Sequence, residues 1–145
     1  MNTLHPIAVH LPIGLLVGNA VLTALYLWRG DRSKELAAYH CLWLGIVLLL
    51  PALATGTYAA VSQLVLTDSP RNDALGWINA HALAGILALA VYWQAWQVRR
   101  RNAGVLDAAK PRRAYLCWLA GGFALLALSG WLGGHMVYEL GVGVK

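Results

Sequence analysis

Four long windows of this chain contain no Asp, Glu, Lys or Arg: residues 1–28, 36–67, 74–98 and 114–138. Each exceeds the roughly 20 residues that an α-helix needs to cross about 30 Å of hydrocarbon. A charge at the centre of such a helix costs roughly 2.5–3.5 kcal/mol on insertion scales, so confining the charges to the gaps is what a spanning bundle requires. With 59% hydrophobic and 12% charged residues, the chain lies outside the range of soluble domains, of which about a quarter is charged. The expectation is an all-α, integral membrane four-helix up-down bundle, a single domain over residues 1–145. Its spans fall at about 7–28, 38–63, 76–98 and 114–137.

The positions of Lys and Arg predict the orientation. The first gap holds Arg29, Arg32 and Lys34, and the third holds Arg99, Arg100, Arg101, Lys110, Arg112 and Arg113. The second gap has only Arg71 and the tail only Lys145, a split of nine against two. By the positive-inside rule the first and third loops are cytoplasmic and both termini face outward, toward the periplasm. The net charge of +5 is then a topology signal and a match to anionic inner-leaflet lipid, with no implication of nucleic acid. No basic n-region precedes the first apolar stretch, which is too long for an h-region, so no cleavable signal is expected.

The first span opens L-H-P-I-A-V-H-L-P-I-G, two imidazoles and two prolines at the mouth of an apolar segment. Histidine inside a membrane is rare and usually has a partner or a function. Pro6 suits a first helical turn, with His5 as N-cap. Pro12 then either removes one hydrogen bond inside the helix or marks its start after an irregular entry, and both alternatives bend the backbone beside His10. Gly14 and Gly18 follow His10 at four and eight residues, a spacing that suits either close helix packing or a flat ligand. The third span enters as G-W-I-N-A-H-A-L-A-G, with Gly85 one turn deeper than His81, and the fourth leaves as G-G-H-M-V-Y-E with His135 near the boundary. His5, His10, His81 and His135 thus sort to the outer half and His40 alone to the inner. Each also has an ordinary reading, as an interfacial residue or a helix-bridging hydrogen bonder.

Histidines converging from separate apolar helices suit haem b, which takes two imidazoles on opposite sides of a flat ring and glycines where the ring passes a helix. Helix bundles hold such cofactors between facing helices. Copper or zinc is the competing expectation, through a compact cluster of the outer histidines, with Glu139 and Met136 the only nearby candidate co-ligands. Cys41 and Cys117 share no C-x-x-C spacing, and neither C-x-x-C-H nor H-E-x-x-H occurs, which removes a covalent c-type haem and a zincin site. No catalytic residue is assigned, because no nucleophile with a paired base is evident.

The entry H-P-I-A-V-H-L-P-I-G and the exit G-G-H-M-V-Y-E-L-G-V-G-V resemble the end motifs of the domain of unknown function 2231 family. The likeness runs over nearly the whole chain and matches His5, His10, Gly133, Gly134 and Tyr138. It implies a four-helix, multi-pass protein of the bacterial inner (cytoplasmic) membrane, and it favours haem. A looser likeness to di-haem cytochromes of the b561 type rests on architecture alone.

Two functions follow as expectations. The first is a membrane-embedded haem b electron-transfer protein with a histidine-ligated site in the periplasmic half, exchanging electrons with quinol or a periplasmic redox protein. The second is a non-redox membrane module, an accessory subunit or small transporter whose outer histidine cluster binds a metal ion or a proton. For haem, His10 and His81 are the expected axial pair, since they lie at similar depth on helices diagonal across the bundle, each with glycine one turn deeper (Gly14, Gly85) and Gly18 a further turn beyond Gly14. His135 and His5 would form a second, shallower pair if two haems are bound, or propionate and solvent contacts if there is one. A homodimer through the glycine faces is a further expectation.

Overall fold

The computed structural model describes residues 4–68 and 70–143. Four helices, α1 (Leu4–Arg29), α2 (Arg32–Leu64), α3 (Leu75–Arg101) and α4 (Ala109–Tyr138), account for nearly all of them, with a single 3-10 turn at Asn72–Ala74 and no strand among the described residues. All four are long and apolar enough to cross a membrane. Exposed apolar side chains ring the outside, among them Ile7 at 67% and Leu11 at 66%. In water such a surface would be an aggregation liability; against acyl chains it is the expected outer wall.

The helices overrun the charge-free windows at their ends. α2 begins at Arg32 because Asp31 caps it, its side chain accepting from the Ser33 N–H at 2.9 Å, and Glu35 lies favourably in the first turn. Gly30, at φ 72°, takes the left-handed turn that lets α1 pass into α2 through two residues. α1 runs unbroken from Leu4 and carries Pro12 inside it, buried, so the irregular entry considered for residues 5–10 is not formed.

Contacts along each pair give the topology. His5 meets Gly56, Leu16 meets Gly45 and Gly18 meets Cys41, so α1 and α2 run antiparallel. His81 against Gly133 and Tyr92 against Gly122 make α3 and α4 antiparallel in the same way. These two hairpins are tightly packed internally, whereas α2 meets α3 less extensively and α1 barely touches α4. The shared core comprises Leu16, Leu42, Ile46, Leu49, Tyr92, Tyr115, Leu119 and Leu126.

Close approach inside each hairpin depends on small residues. A Cβ on Gly45 would lie 2.8 Å from Leu16 Cγ, and one on Gly122 would lie 2.9 Å from the Tyr92 ring. Leu16 and Tyr92 are fully buried and have no free direction to move. Gly45→Ala is therefore expected to destabilise the protein by about 1–3 kcal/mol, the usual range for overpacking. Gly14→Ala, where nothing lies within 4 Å, should be neutral or slightly stabilising. Thermal unfolding of both variants in one detergent checks this, and equal melting temperatures would contradict the packing described.

The two ends of the bundle differ in chemistry. At the arginine end, Arg99 of α3 and Glu35 of α2 form an ion pair at 2.5 Å, with side chains only 10% and 8% exposed. The Arg99 guanidinium lies 4.9 Å from the Tyr39 ring centroid, and Asn19 donates to the Ala38 carbonyl at 2.9 Å. Asp107, in the loop before α4, pairs with Arg32 and accepts from the Tyr26 hydroxyl at 3.3 Å. The hydrogen bond from Arg32 holds the Asp107 carboxyl below the usual carboxylate range. The opposite end carries four of the five histidines.

A candidate histidine site between the two hairpins

His5 lies on the buried stripe of α1. That stripe runs Pro12, Leu16, Asn19, Thr23, Tyr26, and seven residues before Pro12, two helical turns back, is His5. Its imidazole reaches across to α2, where Nδ1 is 3.1 Å from the carbonyl oxygen of Ala52 and 3.4 Å from Thr55 Oγ1. From α3, His81 points to α4, with Nδ1 2.9 Å from the carbonyl oxygen of Ser129 and 3.3 Å from Ser129 Oγ. The two rings meet in a T-shaped arrangement, at a centroid separation of 6.0 Å and an interplanar angle of 81°.

A carbonyl oxygen only accepts, so each Nδ1 carries the proton and donates. Each Nε2 is then the lone-pair nitrogen. Anchoring one ring nitrogen on a carbonyl while freeing the other for a metal is the usual second-shell arrangement of a ligating histidine. Glycines make room for both rings. A Cβ on Gly56 would lie 2.9 Å from His5 Cε1, and one on Gly133 would lie 3.2 Å from His81 Cε1. All four helices therefore contribute: two supply imidazoles, and two supply a carbonyl anchor with a glycine beside it.

The expected pairing of His10 with His81 is not the one the structure makes. His10 is exposed, and its Nδ1 turns back on the carbonyl of Pro6 in its own helix. Five residues rotate a helix by roughly 140°, so once α1 is regular from Leu4, placing His5 inward forces His10 outward. Gly14 faces open space, and a Cβ on Gly18 would lie 3.7 Å from Cys41 Sγ, which is plain helix packing. Gly85 packs against Leu53 and Ser129, below His81. His135 does not join His5 in a second pair; its ring centroid is 4.3 Å from Trp77 and 5.8 Å from Trp131. His40 is exposed at the arginine end, where Trp43 donates to it at 3.4 Å. Among the described residues no three or more His, Cys, Asp or Glu side chains are grouped to hold an ion, so the compact copper or zinc cluster is not assembled.

Sequence reasoning missed Gly56, Ala52 and Ser129 as parts of this site. No local motif marks them, because a carbonyl anchor can come from any residue and its identity depends on helix register. His5 was legible through the phase of the α1 stripe, a signal that depth alone concealed.

These features define a four-helix membrane protein with a paired-histidine site clasped between two helical hairpins. The chain belongs to the DUF2231 family, described as a predicted membrane protein, whose family model matches residues 1–145. No curated protein and no solved structure matches it.

Proposed function

We propose that this protein is a haem b electron carrier of the bacterial inner membrane, with His5 and His81 as the axial ligands, placed in the periplasmic half of the bundle. The observation that carries the reading is the T-shaped pair of imidazoles at 6.0 Å with both Nδ1 atoms committed to carbonyl oxygens. Two imidazole nitrogens at about 2 Å from one shared metal put the ring centroids roughly 6 Å apart, so the spacing fits bis-histidine ligation.

Bound haem would supply one-electron chemistry, and the chain supplies orientation and a low-polarity setting that tune it. Ala52 and Ser129 fix the imidazole tautomers, and Gly56 and Gly133 keep the rings from being pushed aside. Quinol and a soluble periplasmic redox protein are the two donor or acceptor classes compatible with a site near the outer boundary. A relay through the whole membrane would need a second site at the arginine end, where His40 is the one histidine.

The alternative reading is a non-redox accessory subunit or small transporter that uses the same imidazoles for a proton or a metal ion. One experiment separates the two. Protein purified from cells supplied with haem precursor should show a Soret band and, after dithionite, a sharp α-band in stoichiometric amount. Metal by elemental analysis with a featureless visible spectrum would discard the haem reading.

A further inference from the structure

A second site lies on the other side of α4 at the histidine end. Trp131, His135, Tyr138 and Glu139 follow one another at four, three and one residues, which places them along one face of the helix. With Gly134 they line a shallow, largely open cleft of about 300 Å³ on the surface of α4. Trp77 of α3 supports it from behind. Its ring meets Trp131 edge-on at 6.3 Å and His135 at 4.3 Å, so the aromatic wall is held by both helices.

The electrostatics of this cleft have one sign. Glu139 is the C-cap residue of α4, where the helix dipole already concentrates negative charge and a carboxylate is disfavoured. It has no ion-pair partner among the described residues, and Arg71, the one cation at this end among them, is engaged by Asp73 at 2.9 Å. Beside the carboxylate, Trp131 is 60% and Tyr138 87% exposed, which leaves electron-rich aromatic surface available at the cleft. An added Cβ on Gly134 would meet nothing within 4 Å, so this glycine leaves free space in the cleft. A carboxylate, a helix C-terminus and aromatic faces around a small cavity are the elements that recognise an alkylammonium group. An anion is repelled there, and a neutral ring would make no use of Glu139.

We propose that the cleft formed by Trp131, Gly134, His135, Tyr138 and Glu139 binds an alkylammonium cation, presented by a lipid headgroup or by a small soluble solute. The site is independent of the His5–His81 pair and goes beyond the haem reading. The test uses full-length protein in nanodiscs of phosphatidylglycerol, which has no ammonium group, with 5-fluorotryptophan labelling and choline as the probe. The Trp131 resonance, assigned by its loss in Trp131→Phe, is expected to shift saturably with choline. Glu139→Gln and Tyr138→Leu should each raise the Kd about tenfold, equivalent to about 1.4 kcal/mol. Because Glu139 and Tyr138 are exposed, both variants retain the fold, and an unchanged fluorotryptophan spectrum without choline verifies it. Adding phosphatidylcholine to the discs distinguishes the sources: displacement of choline assigns the site to a lipid headgroup, and undiminished choline binding assigns it to a soluble cation. The proposal is overturned by no shift, by equal binding of the neutral isostere 3,3-dimethylbutan-1-ol, or by an unchanged Kd in Glu139→Gln. A quinone analogue that shifts Trp131 when choline does not would likewise overturn it and give the cleft to a quinone ring.

Discussion

Alanine in place of His5 or His81 is expected to abolish haem incorporation while the chain still inserts and purifies as a membrane protein. Each substitution removes one of the two imidazoles proposed to hold the haem and leaves its carbonyl anchor, on Ala52 or Ser129, without its imidazole donor. The loss should exceed about 100-fold in haem per protein, beyond the roughly 10–100-fold cost of removing a mere outer-shell partner of a metal ligand. His10→Ala and His40→Ala should leave the reduced spectrum unchanged, because both side chains are exposed and neither belongs to the paired rings. This set of four variants also separates the structural assignment from the one based on depth. Haem loss in His10→Ala with retention in His5→Ala would restore the His10–His81 pairing, and full occupancy in the His5→Ala, His81→Ala double variant would remove haem ligation from both.

The second large effect concerns the ion pair between Glu35 and Arg99. Removing charges of this depth from water is expensive, and their attraction offsets it only while both are present. Glu35→Ala should therefore destabilise the protein by on the order of 3–5 kcal/mol, since it leaves Arg99 buried against Tyr39 with no carboxylate. Replacing both partners, Glu35→Leu with Arg99→Leu, should recover most of that loss, because a matched apolar pair carries no desolvation penalty. Melting of the three variants in nanodiscs checks the sign and the recovery. A Glu35→Ala protein as stable as the parent would mean that water reaches the pair and screens it.

The sequence carried the architecture and only part of the site. Charge-free windows predicted four helices because hydrocarbon tolerates no unpaired charge, and that rule acts on each segment separately. It placed the starts of α2 and α4 too late, since helical hydrogen bonding continues into the charged ends, as at Arg32 to Glu35 and Ala109 to Arg113. Glu35 and Arg99 read as flanking charges; their pairing depends on the register of α2 against α3, which no single segment encodes. Depth pairs His81 with His10, whereas the imidazole beside it is that of His5. The recurrence of buried positions along α1 would have chosen His5, since Pro12, Leu16 and Asn19 fix which side of that helix faces inward. Gly133, flagged through its place in the exit motif, acquires a physical reason in the His81 ring it makes room for.

The division into two tight hairpins with a looser joint has a consequence for the order in which the protein is made. His5 belongs to the first hairpin and His81 to the second, and the same is true of Glu35 and Arg99. Neither pair can exist while only the first hairpin has left the ribosome. Until α3 arrives, Glu35 lacks its buried ion-pair partner and His5 has only the groups of α2 beside it. Completion of biogenesis is thus a docking event inside the lipid, in which both ends of the bundle close together, and any cofactor that bridges the imidazoles must be loaded during or after that closure.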